Sequence, residues 1–272
     1  MTIFPVENHR NREDGGLIYP VYSRRSGGLS IGINLFPDKK VCAFNCPYCE
    51  IFPFTTASKF AVKTLKKELT YAINSAQYHS ISPQDMCFSG NGEPTQSPHF
   101  RKAVEAAHSI QKKIAPETQL VVITCGAGLF QDELFSYLRN VIASYGLNMW
   151  LKLDAGTEAW YRIINRSAIA FDKLIAKIKE FVEVSPVTIQ TMLCSIGGAL
   201  PSDAEEAAWN ELALEMAKTG NVKQFQLYGK IRPAAEDPLA EEAPVAYLEK
   251  RAESLKQKLA AARLEVPVSV YT

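Results

Sequence analysis

Six times in succession, a short β-favouring run is followed by a stretch with helical spacing. No other feature restricts the fold as strongly. Strands separated by helices pair in parallel through crossovers, which lay the helices on the faces of the sheet. The runs are residues 29–36 (LSIGINLF), 85–89 (DMCFS), 119–124 (QLVVIT), 148–153 (NMWLKL), 187–193 (VTIQTML) and 222–228 (VKQFQLY). Helices are expected over 59–74, 97–113, 131–144, 168–184, 202–218 and 245–263, with a last apolar run over 266–271. In the first of these, Phe60, Ala61, Leu65, Leu69 and Ala72 fall close to the helical period. Ser97 reads as an N-cap with Pro98 at the first helical position, and Ser202 with Glu205 as a capping box.

This order argues for a parallel sheet with helices outside. The pattern leaves open whether the sheet closes, stays an open barrel or is doubly wound. In every case a ligand would bind at the C-terminal ends of the strands. With no internal repeat and no low-complexity linker, one domain is expected: a core over 28–230, an N-terminal extension over 1–27, and a C-terminal helix and edge strand over 231–272.

Composition excludes several classes. With 47% apolar residues and a net charge of +1, the chain is no disordered segment. The near-neutral balance gives no global steering toward nucleic acid or an anionic membrane. No apolar run approaches the roughly 20 residues needed to span a bilayer. Residues 1–14 are polar and charged, without a signal-peptide core. A chain of 272 residues needs no disulfide staples, and its six cysteines are not spread like a secreted scaffold. A reducing cytoplasm is the simplest compartment.

Three of those cysteines, Cys42, Cys46 and Cys49, share one loop after the first run, in a C-x3-C-x2-C spacing. Zinc sites favour C-x2-C knuckles and four ligands, and no histidine lies near this loop. Three thiolates suit a 4Fe-4S cluster with one iron left open. Structural zinc is the bland alternative. After the second run comes Gly90-Asn91-Gly92-Glu93-Pro94, whose glycines allow the backbone to approach a ligand closely. Lys152 and Asp154 close the fourth run, either as ligand contacts or as a simple ion pair.

The cysteine spacing, the aromatic Tyr48 before the third cysteine and the Gly-Glu-Pro loop resemble the radical S-adenosylmethionine (radical SAM) enzymes. The match covers residues 23 to 233. Within that superfamily the chain is similar to the branch that includes wyosine-base tRNA synthetases. The resembling stretches are Ser23-Arg24-Arg25, residues 29–34, 90–95 and 152–157, and Asn165-Arg166.

The resemblance implies a single-domain partial (β/α)6 TIM-like barrel. It implies a 4Fe-4S cluster on Cys42, Cys46 and Cys49. S-adenosyl-L-methionine would bind the open iron and, on reduction, break into methionine and a 5′-deoxyadenosyl radical that abstracts hydrogen from a substrate. Residues 90–94 would offer backbone carbonyls and the Glu93 carboxylate to the SAM ammonium. Tyr48 would pack near the adenine or fill the base of the loop. Lys152, Asp154, Asn165 and Arg166 would contact SAM or substrate. Gln190 and Gln226, polar groups in apolar strands, would bind a ligand or each find a core partner. Arg24 and Arg25 would reach an anionic group or stay solvated. Cys87 reads as core filler, whereas Cys125 and Cys194, near strand ends, would face the site.

The chain also departs from the wyosine enzymes. It has no cysteine ahead of Cys42 and no flavodoxin-like module, and its basic residues form only short clusters such as Lys63, Lys66 and Lys67. A small-molecule or peptide substrate is therefore expected rather than tRNA, with flavodoxin or ferredoxin as electron donor.

Overall fold

The computed structural model describes residues 16–234, 237 and 239–272. The first 15 residues of the expected N-terminal extension, with the signal-peptide reading of 1–14, lie outside the described residues. The chain sorts into two compact units. The first holds the described residues up to Cys42, then 51–124 and 140–148; the second holds 43–50, 125–139 and the described residues from 149 on.

In the first unit, β1 (Ile18–Ser23) and β2 (Gly28–Ile33) form an antiparallel hairpin. Helix α1 (Val62–Tyr78), strand β3 (Asp85–Phe88), helix α2 (Phe100–Ile114) and strand β4 (Gln119–Thr124) follow. β2, β3 and β4 run in parallel. Strand β1 lies within the segment expected to be an extension. Pro20 interrupts its pattern, and an edge strand tolerates a proline that a central one does not. Gly32 is required opposite it, since a Cβ there would sit 2.2 Å from the Tyr19 ring. Ile31, Leu65, Leu69, Ile73, Met86, Phe88 and Phe100 are buried between strands and helices. The α2 cap differs from expectation. The helix starts at Phe100, and Ser97 Oγ instead accepts from His99 N (3.2 Å).

Helix α3 (Asp132–Tyr145) carries residues of both units. The second unit continues with β5 (Asn148–Lys152), α4 (Glu158–Ile164), α5 (Phe171–Val184), β6 (Val187–Ile196), α6 (Asp203–Ala217), β7 (Val222–Gly229), β8 (Ala240–Glu242), α7 (Val245–Ala261) and β9 (Val268–Tyr271). β5, β6, β7 and β9 are neighbours in that order and parallel. β8 pairs antiparallel with the end of β6. α7 packs on α6, β7 and β9.

Helix α4 and strand β8 are not in the sequence pattern. Both are too short to display a period. The capping box is half formed. Ser202 Oγ accepts from Glu205 N (3.2 Å), but the Glu205 carboxylate turns to Gly156 N and Thr157 Oγ1, each at 2.5 Å. Gly156 fits there because a Cβ would meet Trp209 N at 2.1 Å. Among the described residues, no helix is long and apolar enough to cross a membrane.

Candidate functional site

Residues 43–50 of the cysteine loop are tied down by elements far along the chain. Asn45 N donates to the Asn165 carbonyl (2.9 Å), and Ser167 Oγ to the Ala43 carbonyl (2.9 Å). The Phe44 ring packs edge-on against Tyr161, and Arg232 pairs with Glu50 at 3.1 Å. Within the loop, Cys49 N donates to the Cys46 carbonyl (3.0 Å). All three cysteines are free thiols; Cys42 is exposed, and Cys46 and Cys49 are half-buried.

The loop meets the end of β5 at Asp154, whose carboxylate is fully buried. Asp154 Oδ2 accepts from the Tyr48 hydroxyl (2.5 Å) and from Asn165 Nδ2 (2.8 Å), and lies 3.3 Å from Lys152 Nζ. Asp154 Oδ1 accepts from Met192 N at 3.0 Å. Asn165 Nδ2 also points at Cys46 Sγ, 3.6 Å away. Lys152 Nζ donates to the Tyr228 hydroxyl (2.7 Å) and lies 5.0 Å from the Tyr48 ring centroid. Tyr48, Asn165 and Lys152, with Cys46 through Asn165, thus gather in the second unit around the Asp154 carboxylate. Arg166, in a left-handed backbone conformation (φ 46°), pairs with Asp237 instead.

The electrostatics follow from burial. Burial would draw the Lys152 ammonium down, but the Asp154 carboxylate and the Tyr228 hydrogen bond outweigh it and hold it above its ordinary value. Burial, with Asp154 beside it, raises the Tyr48 phenol. The same two causes push the Cys46 thiol up to about 12, against smaller opposing effects of Lys152, Tyr48 and Asn165. A metal binding Cys46 as thiolate must therefore displace a firmly held proton.

In the first unit, the glycine loop leaves β3 and folds back onto the residue before Cys42. Gly92 and Val41 form a parallel bridge, and Glu93 N donates to the Val41 carbonyl (2.8 Å). Gly92 has φ 148°, and a Cβ there would lie 1.9 Å from Val41 O. A Cβ at Gly90 would lie 2.4 Å from Asn34 Cα, and the Asn34 Oδ1 accepts from Asn91 N (3.2 Å). Glu93 is buried, and its Oε1 accepts from Thr95 N (3.1 Å), Thr95 Oγ1 (2.6 Å) and Thr124 Oγ1 (2.6 Å). That oxygen caps the short turn opened by Pro94 and braces it against β4.

Gln190 and Gln226 take the core alternative. Gln190 Nε2 donates to Gln226 Oε1 (2.7 Å), Gln226 Nε2 to Gln224 Oε1 (3.2 Å), and Gln224 Nε2 to Ser269 Oγ (2.8 Å). This ladder crosses β6, β7 and β9. Cys87, Cys125 and Cys194 are buried. Burial and then Asp154 raise the Cys194 thiol to about 12. Sequence reasoning missed Tyr228, Glu205 and Thr124. Tyr228 alone left a signal, as an aromatic hydroxyl at the end of an apolar run.

Among the described residues, no three His, Cys, Asp or Glu side chains are gathered as a metal-binding group. The donor set nonetheless suits an iron–sulfur cluster. It consists of three soft thiols on one loop, with an amide N–H aimed at one sulfur, the kind of hydrogen bond that tunes such clusters.

No protein-family profile matches the chain. A UPF0026 protein of Helicobacter pylori strain 26695 is 33% identical over 122 residues, which are 44% of this chain and 38% of the relative. The same protein of strain J99 is 32% identical over the same shares. The match thus spans well under half of either relative. Among solved structures, Streptococcus suis SuiB bound to S-adenosylmethionine superposes with a TM-score of 0.65 at 14% identity, over 88% of this chain and 49% of SuiB. A radical SAM methyltransferase of Sphaerobacter thermophilus gives 0.62 at 15%, over 90% of this chain and 66% of its own. TYW1 with a lysine-pyruvate adduct bound gives 0.53 at 16%, over 84% and 73%. At these identities the likeness carries the fold, and the chain has the α/β partial-barrel fold of the radical SAM enzymes.

Proposed function

We propose that the chain is a radical SAM enzyme in which Cys42, Cys46 and Cys49 hold a 4Fe-4S cluster with one open iron. When bound, such a cluster supplies the electron that cleaves S-adenosyl-L-methionine to methionine and a 5′-deoxyadenosyl radical, which takes hydrogen from a substrate. The observation that carries this reading is the tie between the cysteine loop and Asp154. One amide, Asn165 Nδ2, reaches both the Cys46 sulfur and the carboxylate.

The chain's residues have distinct parts. Asn165 orients the Cys46 sulfur and draws off some of its charge. Asp154 fixes Tyr48, and with it the turn that spaces Cys46 from Cys49. Lys152, kept protonated, offers a positive charge at a strand end for the SAM carboxylate. The strained glycine loop presents residues 90–94 beside Cys42, where backbone carbonyls can receive the SAM ammonium. We take the substrate to be a small molecule or peptide, the electron donor to be flavodoxin or ferredoxin, and the setting to be a reducing cytoplasm.

The test is anaerobic reconstitution with iron and sulfide, followed by SAM and dithionite. Release of 5′-deoxyadenosine, abolished in Cys46→Ala, is the expected result. Uptake of zinc in place of iron, or reconstituted protein that releases no 5′-deoxyadenosine, overturns the proposal.

A further inference from the structure

The first unit holds a cavity of about 620 Å³ that none of the groups placed at the candidate site occupies. Pockets of roughly 300–1,000 Å³ are the usual size for small-molecule ligands. Its lining comes from three stretches: residues 35–41 before the cysteine loop, 56–60 after it, and 97–99 just ahead of α2. Neither the three cysteines nor residues 90–94 line it. Leu35, Phe36 and Pro37 are buried and apolar, whereas Lys39 and Lys59 are exposed. The cavity thus combines an apolar interior with two cations at the surface. Phe60 and His99, both in the lining, stack with ring centroids 4.6 Å apart and planes within 14°.

The polar lining is rich in uncommitted donors. Neither Lys39 nor Lys59 pairs with an acid among the described residues, and Asp38 is the one acid in the lining. The His99 ring nitrogens and the Ser58 hydroxyl have no hydrogen-bond partner among the described residues. Ser97 Oγ accepts from His99 N (3.2 Å), which leaves its own proton to give. Only Thr56 is spent: its Oγ1 donates to the Pro37 carbonyl (2.7 Å) and accepts from Ser58 N (3.1 Å). Two ammonium groups, two hydroxyls and an imidazole against one carboxylate match a ligand rich in acceptors and negatively charged. The stacked Phe60–His99 pair and the apolar interior match a flat, apolar body beside that charge.

We propose that this cavity binds a small organic anion with a planar, apolar body and a phosphate or carboxylate end. The proposal does not rest on the cluster, because no cysteine takes part in it. The position gives binding a consequence. Val41 lines the cavity and directly precedes Cys42. Its carbonyl accepts from Glu93 N (2.8 Å), and its backbone bridges Gly92. A ligand packed against Val41 therefore steadies the glycine loop as well.

The test is calorimetric titration of the full, metal-free chain with phenyl phosphate, benzoate, inorganic phosphate and benzylamine. Saturable binding of phenyl phosphate or benzoate is expected. It should be at least about tenfold tighter than that of inorganic phosphate, which lacks the flat body, or of benzylamine, which carries the wrong charge. Tighter binding of phenyl phosphate identifies a phosphate end, and tighter binding of benzoate a carboxylate. A Lys39→Gln, Lys59→Gln double variant changes only exposed side chains, so its thermal unfolding should match the wild type. Its affinity for the better anion should fall about tenfold. At saturation, hydrogen exchange at the Glu93 amide should slow about threefold or more in the wild type. Absence of saturable binding, equal binding of inorganic phosphate or benzylamine, or a double variant that binds as the wild type does overturns the site. Saturable binding with unchanged exchange at Glu93 overturns the link to the glycine loop.

Discussion

Asp154→Asn is the sharpest perturbation of the second unit. The carboxylate is fully buried and serves four donors. Tyr48, Asn165 and Lys152 meet Oδ2, and Met192 N meets Oδ1. An asparagine cannot reproduce this. If its carbonyl faces the three donors, its amino group meets the Met192 N–H; if it is flipped, it meets the other three. At least one buried donor is left unsatisfied either way, at about 1–3 kcal/mol. The Lys152 ammonium, with only 13% of its side chain exposed, also loses its counter-charge. Breaking a buried pair by removing one partner costs about 3–5 kcal/mol. The Lys152 ammonium keeps its bond to the Tyr228 hydroxyl, which offsets part of the sum, so the expected loss is about 3–5 kcal/mol in all. At roughly 2–4 °C per kcal/mol for a chain near this size, the melting temperature should drop by about 6–20 °C. Circular dichroism melts and urea unfolding of the metal-free protein read this directly. A second variant isolates the cause. Lys152→Met alone leaves Asp154 with three donors, and combined with Asp154→Asn it removes the stranded ammonium. The double variant should therefore be more stable than additivity allows, with a coupling of about 1–3 kcal/mol. Loss of less than about 1 kcal/mol in Asp154→Asn, or strict additivity in the double variant, would refute the argument.

Gly92→Ala places a Cβ 1.9 Å from Val41 O at φ 148° and should destabilise the metal-free protein by at least about 2 kcal/mol in urea; a neutral effect would mean the glycine loop does not lie against Val41. Burial holds the thiol of Cys87 above its ordinary value and that of Cys194 at about 12, and it raises the Tyr48 phenol. In the unfolded chain these groups release their protons first, so stability is full below about pH 8 and is lost as pH rises from about 9 toward 12. Urea midpoints under reducing conditions should stay flat to pH 8 and then fall, and a flat profile to pH 11 would contradict this.

The repeating strand–helix order was legible because long amphipathic helices and apolar strands write their period into the sequence. All six expected runs became strands with ends within three residues of expectation; the first is shortened to Gly28–Ile33 and the fifth lengthened to Val187–Ile196. Strand β1 stayed hidden because Pro20 breaks its pattern, and only its edge position, a tertiary fact, makes the proline tolerable. The candidate site rests on residue type and spacing at the cysteines, and the close backbone approach expected of the glycine loop is seen at Gly92. It was illegible where partners are remote. Nothing local says that the Glu93 Oε1 is held by Thr124, that Gln190 finds Gln226, or that Glu205 leaves its cap for Gly156.

The loop over residues 43–50 has a kinetic consequence. Its anchors lie 106 residues on for Tyr48 and 119 for Cys46, so each is a long-range closure that local structure cannot nucleate. During synthesis, Cys46 and Cys49 emerge well before the β5 and α4 segments that fix them. Until those segments appear the thiols sit on a slack chain, open to alkylation, stray zinc or one another. For the proposed cluster the order follows: the 43–50 loop takes its shape only once the β5 and α4 segments are in place, so iron offered before then would meet an unformed loop.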